Sequence, residues 1–229
     1  MTKLTIRKAV LSGRQFLSNN KHNALHFTIK HTGKMSGLWS LSTSCLDNPI
    51  CKARAKVKDS ICSHCFAMSQ IDRWPDMRPC LKKNLDILAS RGLLIEETPI
   101  INPPSGLFRF ESFGDTMNYK QALNYIRIAF LNPWCKFAAW TKNTEHYLQA
   151  FTFIEKPKNL MLIKSSKEVN KIDDLTSEEQ KYFDKVFTVY TKDFAKENNI
   201  NINCGARSCA TCRNCYENKK TVYVNEILK

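Results

Sequence analysis

Short stretches of apolar, aromatic and β-branched residues recur along the chain, the composition of β-strands. At 24–30 and 38–42 the apolar residues alternate with polar ones, the two-residue period of a strand with one buried face. Four more strands are predicted at 107–111, 136–141, 159–163 and 186–190. The chain is therefore expected to build a sheet from strands that are spread over most of its length.

Between the later strands, apolar residues follow the 3.6-residue period of an α-helix. Tyr147, Leu148, Phe151 and Ile154 fall on one stripe of a helix that is predicted at 144–155. Further helices are predicted at 79–92, at 119–131 and, from a capping box, at 176–185. Because strands and helices alternate, right-handed parallel crossovers are expected. The predicted fold class is α/β, with an open sheet or a partial (β/α) barrel.

Four cysteines crowd the end of the chain, at Cys204, Cys209, Cys212 and Cys215. Thiols this close together are typical of a metal site. Structural zinc sites usually combine two well-separated C-x2-C pairs, whereas successive x2 intervals preceded by x4 resemble the spacing of ferredoxin clusters. The spacing favours an iron–sulfur cluster over zinc, and disulfides rank third.

A second set of four cysteines lies in a loop predicted at 45–65: Cys45, Cys51, Cys62 and Cys65. Its spacing is looser, so zinc and iron–sulfur both remain open for this set. The expected organisation is one α/β domain over 1–200, which includes this loop, and a metal-binding extension over 201–229 that packs on it.

Polar residues follow the predicted strands, and the carboxyl ends of parallel strands are where α/β proteins place their chemistry. The candidate rim for a cofactor or substrate consists of Ser112, Gly114, Asp115, Thr141, Lys142 and Asn143. Glycine beside an acid after a buried strand allows close approach of a ligand and offers a carboxylate. The alternative is that strand-to-helix loops are polar in any case and supply helix caps.

The charge adds a candidate partner. The formal net charge is +14, and residues 1–46 contain no Asp or Glu. Such a surface fits a polyanion, most often nucleic acid, although a solvated basic surface explains it equally well. The opening lacks an apolar signal-peptide core, and no run approaches the ~20 apolar residues of a membrane span. A cytoplasmic protein is expected, and in that reducing compartment cysteines favour metal over disulfides.

The motif order is similar to a family of bacteriophage proteins of the "gene product 88" type. The similarity lies in residues 34–37, 61–67, 108–115 and 140–143 and in the terminal cysteine run. It implies a phage or prophage protein that works inside an infected bacterial cell.

The order of Cys45, Cys62, Cys65 and then Gly114 and Asp115 also resembles radical S-adenosylmethionine enzymes. That resemblance implies a partial barrel, a [4Fe-4S] cluster, bound S-adenosylmethionine and an auxiliary cluster at the terminal cysteines. The C-x3-C-x2-C spacing of that family is absent, and a fourth ligand at Cys51 would leave no iron open to the cofactor.

The function predicted from the sequence is a phage-encoded iron–sulfur protein on a radical-SAM-like scaffold, with redox or radical chemistry on nucleic acid. The alternative is a nucleic-acid-binding protein that is stapled by zinc and has no catalytic activity. Whether the protein is an enzyme stays open. No Ser-His-Asp set, phosphate-binding glycine loop or His-x-x-x-His motif is present.

Overall fold

The computed structural model describes residues 25–29, 32–217 and 222–228. These residues form seven strands: β1 (Phe27–Ile29), β2 (Trp39–Leu41), β3 (Leu107–Phe110), β4 (Lys136–Thr141), β5 (Leu160–Ser165), β6 (Lys185–Tyr190) and β7 (Tyr223–Ile227). The seven α-helices in the same ranges are α1 (Pro49–Ala55), α2 (Phe66–Arg73), α3 (Met77–Ser90), α4 (Tyr119–Leu131), α5 (Thr144–Phe151), α6 (Lys192–Glu197) and α7 (Cys209–Cys212). Two 3₁₀ turns lie at Ile61–His64 and Glu179–Lys181.

All seven strands belong to one sheet, in the order β1-β2-β3-β4-β5-β6-β7. β1 is antiparallel to β2, and every later neighbouring pair is parallel. The carboxyl ends of β2 to β7 therefore meet at one edge, which we call the carboxyl edge. The fold is α/β with a mostly parallel sheet, as the alternation of strands and helices predicts.

One face of the sheet, the helix face, is covered by α3, α4 and α5 and holds the main core. At its centre the Phe110 ring is stacked between Tyr125 of α4 and Phe137 of β4, with ring centroids 4.5 and 5.3 Å away. All three rings are fully buried. Burying an aromatic side chain of this kind contributes about 1.5–3 kcal/mol to folding, so this stack anchors the helices to the sheet.

The opposite face, the cysteine face, is covered by the C-terminal segment, which includes the short helix α7. Leu38, Leu107, Ala138, Met161 and Tyr216 form its buried cluster. Cys209 and Cys215 pack against this cluster. The two faces of the same strands thus carry different layers: helices on one side and a cysteine-rich segment on the other.

The segment at 45–65, which was expected to be an irregular loop, is about half helical, with α1 and a 3₁₀ turn. The Asn48 side chain accepts a hydrogen bond from the Ile50 N–H at 2.9 Å and begins α1, where Pro49 takes the first helical position. The Ser60 side chain caps the 3₁₀ turn in the same way, through the Cys62 N–H at 3.0 Å. Local capping thus fixes the backbone between the cysteines.

Two further differences concern the second half of the chain. The helix predicted from 176 shortens to one 3₁₀ turn, although the capping box forms: the Thr176 N–H donates to Glu179 at 2.8 Å, and the Glu179 N–H donates to the Thr176 hydroxyl at 3.2 Å. The seventh strand, β7, was not predicted. It pairs with β6 from Tyr223 to Ile227, so residues beyond 200 contribute to the sheet itself.

Candidate metal centres at two cysteine groups

The first thiol group, Cys45, Cys51, Cys62 and Cys65, lies at the carboxyl edge beyond β2 and β3. Cys45 follows β2, Cys51 lies in the first turn of α1, Cys62 lies in the 3₁₀ turn, and Cys65 precedes α2. α1 is fixed to the end of β3, because the buried Asn48 amide donates to the Asp115 carbonyl at 2.9 Å. Four separate pieces of backbone thus present one cysteine each.

The thiols of this group are close enough to change one another's ionisation. The Cys45 thiol donates a hydrogen bond to the Cys65 sulfur, which raises the pKa of Cys45 and lowers the pKa of Cys65. Burial raises the pKa of Cys51, and the neighbouring Asp115 carboxylate and Cys62 raise it further. The pairs Cys45 with Cys65, Cys45 with Cys51, and Cys51 with Cys62 link all four side chains.

The surroundings of the first thiol group are apolar on one side and charged on the other. Ala67, Ile71, Leu81 and Phe113 form a buried cluster with Cys45, and Cys51 and Cys65 pack against it. On the charged side, the Lys142 ammonium lowers the pKa of Cys51 against the larger effect of burial. The apolar wall limits the access of solvent to these thiols, while Asp115 and Glu111 outnumber Lys142 among the charged groups that act on Cys51.

The second thiol group, Cys204, Cys209, Cys212 and Cys215, is assembled on the cysteine face. The Ser208 side chain caps α7, which carries Cys209 and Cys212, and Arg213 then takes a left-handed backbone conformation with φ of 55°. This turn reverses the chain toward Cys215. The hydrogen bonds of the Cys204 N–H to the Asn225 carbonyl at 3.0 Å and of the Cys209 N–H to the Lys34 carbonyl at 2.8 Å tie the segment to the sheet.

Two cations lie beside the second thiol group. The Lys34 ammonium donates to the Cys204 sulfur at 3.3 Å and pairs with Glu226 at the same distance. The Arg109 guanidinium lies 4.1 Å from the centre of the Trp140 ring, on the face that the thiols cover. Burial raises the pKa of Cys209, while Lys34 and Arg109 lower it. Burial also raises the pKa of Cys215 to about 12, again opposed by Arg109.

The candidate rim residue Asp115 is engaged by the protein itself. One carboxylate oxygen accepts the Thr141 hydroxyl at 2.6 Å and the Thr116 N–H at 2.8 Å. The other accepts the Lys142 N–H at 2.9 Å and lies 3.7 Å from Arg54. Asp115 thus joins α1 to the ends of β3 and β4, and its oxygens are used in doing so.

Gly114 is also explained by packing within the protein. A Cβ at this position would lie 2.7 Å from the Glu111 carboxylate and 2.7 Å from both the carbonyl and the hydroxyl oxygen of Thr43. The glycine therefore serves the close approach of the β3 end to the segment after β2.

Two other rim residues, Ser112 and Asn143, carry buried polar atoms without a hydrogen-bond partner in the described part of the chain. These atoms are the Ser112 Oγ and the Asn143 Oδ1. The Asn143 amide nitrogen, by contrast, donates to the Thr116 carbonyl at 2.6 Å. The two unpartnered oxygens lie in the loops that surround the first thiol group.

Sequence reasoning missed a buried polar network beside this rim. The Glu111 carboxylate accepts hydrogen bonds from the Thr43 N–H (3.0 Å) and hydroxyl (2.8 Å), from the Gln121 amide at 2.7 Å and from the Tyr125 hydroxyl. Burial raises the pKa of Glu111 to about 7, against these hydrogen bonds. Its backbone is also unusual, since φ is 56°. The only signal in the sequence is an acid directly after an apolar strand.

His146, in α5, was missed as well. Its Nδ1 lies 3.1 Å from the Thr116 hydroxyl, and burial lowers its pKa. This places an imidazole at the same edge as Asp115.

The cysteines form no disulfide with one another in the described part of the chain. All ten cysteines lie within the described ranges and are free thiols. Within residues 25–29, 32–217 and 222–228, no group of three or more His, Cys, Asp or Glu is arranged to hold a metal ion. None of the helices in these ranges has both the length and the apolar character needed to cross a membrane.

Comparison with known proteins gives one match. A family model described as "Gene product 88" matches residues 5–226. No curated protein and no solved structure matches the chain.

Proposed function

We propose, from the premise that this chain belongs to the gene product 88 family, that it is an iron–sulfur protein with two clusters on a curled α/β sheet. The observation that carries the proposal is that thiols within each set of four cysteines lie near enough to shift one another's pKa. The set at 45–65 follows β2 at the carboxyl edge, and Cys209 and Cys215 of the set at 204–215 pack on the cysteine face. Each set supplies the four thiolates that a [4Fe-4S] cluster requires.

The spacing of the terminal cysteines supports iron–sulfur over zinc. A zinc ion needs four sulfurs about 2.3 Å from one point, and structural zinc sites usually draw them from two well-separated C-x2-C pairs. Cys209, Cys212 and Cys215 follow one another at x2 intervals after Cys204, which resembles the spacing of ferredoxin clusters instead.

The charges beside the second thiol group support the same conclusion. Four thiolates are strongly anionic even when they hold a metal, and burying such a group requires counter-charge. Lys34 and Arg109 supply it from two different segments of the chain. When bound, the clusters would supply one-electron transfer.

A partial barrel is supported by a contact between distant strands. Lys34 lies in the turn before β2, and Glu226 lies in β7, yet their charged groups are 3.3 Å apart. In a flat sheet, β2 and β7 would be separated by about 24 Å, five strand spacings. A sheet that curls around the cysteine face brings the two together, and the second thiol group fills the space between them.

S-adenosylmethionine chemistry is not part of the proposal. Cys51 lies with the other three thiols and would complete the ligand set, and the Asp115 carboxylate that the resemblance assigned to the cofactor is engaged by Thr141, Thr116 and Lys142. We place the protein in the cytoplasm of a phage-infected bacterium, where thiols stay reduced.

The second candidate is a nucleic-acid-binding protein stapled by zinc, without catalysis. The net charge of +14 favours a polyanionic partner in either case, and thiolate ligands suit both metals. The two candidates differ in the metal and in the presence of sulfide.

The experiment is the iron, sulfide and zinc content of anaerobically purified protein, measured together with the visible absorption spectrum. About eight irons and eight sulfides per chain are expected if each group holds a cubane. Zinc without sulfide would overturn the iron–sulfur assignment and leave the second candidate. The Cys135→Ser variant is the control, because Cys135 is buried outside both groups and should leave the metal content unchanged.

A further inference from the structure

Exposed lysines lie on the segments that carry the first thiol group and on the loop paired with them. In α1, Cys51 and Arg54 are half-buried, while Lys52 and Lys56, four residues apart, share the exposed side of the helix. Lys58 follows in the next turn and is also exposed. None of these three lysines forms an ion pair with any residue that the structure describes, whereas Lys82, Arg91 and Lys136 elsewhere on the surface do.

A fourth cation is brought to the same surface by backbone pairing. The Ile61 N–H donates to the Lys167 carbonyl at 3.0 Å, and the Val169 N–H donates to the Asp59 carbonyl at 3.0 Å. The exposed Lys167 thus lies beside the turn that carries Cys62. The carboxylates in these two paired segments are Asp59, which is exposed, and Glu168, which pairs with Lys171 at 3.0 Å, while the exposed Asp72 and Asp76 flank Trp74.

Exposed apolar side chains occur in the same stretch of chain. Phe66 is 60% exposed and Trp74 is 62% exposed, at the two ends of α2, about 12 Å apart along the helix axis. Phe66 directly follows Cys65, and its ring centroid is 6.0 Å from that of Phe113, beside the thiols. Large rings left in water on the same segments as lysines without an ion pair in the described residues favour a partner that uses both.

We infer that the lysine patch, defined as Lys52, Lys56, Lys58 and Lys167 with Phe66 and Trp74, binds single-stranded nucleic acid. Lysines would contact the phosphates, and the two rings would stack on unpaired bases, which a duplex does not present. The inference rests on the proposed function in one respect, since the metal at the first thiol group holds α1 and α2 in place. A strand bound to this patch would face the first thiol group, because Lys52 adjoins Cys51 and Phe66 adjoins Cys65.

The test uses the metal-loaded full chain and fluorescence anisotropy with labelled oligo-dT, oligo-U and a DNA duplex, over a range of salt concentrations. Both single strands, or one of them, are expected to bind more tightly than the duplex, and the comparison of dT with U identifies the natural strand. The double variant Lys52→Gln/Lys56→Gln should lower the slope of log K against log salt by roughly 1.4, for two lost phosphate contacts. Trp74→Ala should weaken binding on the order of tenfold through lost stacking.

Matched controls come from the opposite edge of the sheet. Lys158→Gln/Lys181→Gln removes two exposed lysines that precede β5 and β6, and Phe153→Ala removes a ring that is 66% exposed at the end of α5. Neither control should change binding by more than about twofold.

The metal content of every sample separates this inference from the proposed function. Loss of binding in the lysine-patch variants, at unchanged metal content, supports the inference whichever metal is found. If the α1 variants lose metal, Lys167→Gln tests the same surface from a loop that carries no cysteine. The inference is overturned if no single strand binds or if the lysine-patch variants and the control variants bind alike. It is also overturned if polyglutamate competes for the protein as well as an oligonucleotide of equal charge does.

Discussion

The two thiol groups offer the same four ligands in opposite electrostatic surroundings. At the first, burial raises the pKa of Cys51, and the Asp115 and Glu111 carboxylates raise it further. Among the charges that act on Cys51 most, only Lys142 lowers its pKa. At the second, Lys34 and Arg109 oppose burial at Cys209. The first group therefore resists additional negative charge more than the second does. A cluster at the second group should be reduced more easily, and the predictions below probe this difference.

The largest effect is expected from breaking the second group. Cys212→Ser should remove its metal and destabilise the domain by several kcal/mol, because this group connects β7, the turn at 32–37 and the cysteine face. Thermal unfolding measures the change, and a loss on this scale should lower the Tm by roughly 10 °C. Cys135→Ser serves as the control. A Cys212→Ser variant that melts with its parent would show that the second group has no structural role.

The next effect is a pH dependence of stability, which arises from Glu111 beside the first group. The folded pKa of Glu111, about 7, lies above its ordinary value of 4.5. Between these values the native state holds a proton that the unfolded chain has released, so stability is lost as pH rises through this window. The loss should be on the order of 3 kcal/mol.

Chemical denaturation at pH 5 and pH 8, compared with Glu111→Gln, isolates this carboxyl from other titrating groups. The variant should show a smaller loss between the two pH values than the parent. Equal pH dependence in the two proteins would contradict the assignment.

The backbone next to each group offers a matched pair of glycines. Gly114→Ala, beside the first group, places a Cβ 2.7 Å from the Thr43 carbonyl and should cost about 1–3 kcal/mol. Gly205→Ala, beside the second, meets no atom within 4 Å and should change stability by less than about 0.5 kcal/mol. Urea unfolding of the two variants checks the contrast, and equal effects would show that the close approach at Gly114 is unimportant.

The smallest effect tests the charges directly. Arg109→Gln should lower the reduction potential of the second cluster on the order of 50 mV, about 1.2 kcal/mol for one electron, because the reduced form loses a neighbouring cation. Lys142→Gln should do the same to the first cluster only. Redox titration followed by electron paramagnetic resonance measures both. If either variant shifted the reduction potentials of both clusters, the two groups would not have separate electrostatic surroundings.

The apolar pattern predicts the parts of this fold whose side chains pack on both sides. β4 and α4 have the bounds predicted from the sequence, because apolar runs such as Phe137 to Ala139 are buried in the core. β7 could not be predicted from the apolar pattern, because Asn225 and Glu226 interrupt it and the position of the strand is set by pairing with β6. α1 could not be predicted from it either, because its formation depends on the Asn48 cap rather than on a periodic apolar face.

The candidate sites divide in the same way. The assignment of the cysteines to two metal sites rests on ligand spacing, which is local in the sequence, and stays a prediction. The contacts of Glu111 with Thr43, Gln121 and Tyr125 could not be predicted, since they depend on how β2, β3 and α4 are placed together. Gly114 and Asp115 contact Glu111, Thr43 and Thr141 in the structure, contacts that the sequence pattern did not indicate, and their role in binding a ligand stays a prediction.

The measurement that tests the central claim most directly is the iron content of Cys62→Ser, Cys212→Ser and the double variant beside the parent protein. If each group holds its own cluster, each single variant loses about half of the iron and sulfide, and the double variant loses nearly all. Loss of all iron in either single variant, or full iron in both, would contradict two separate clusters.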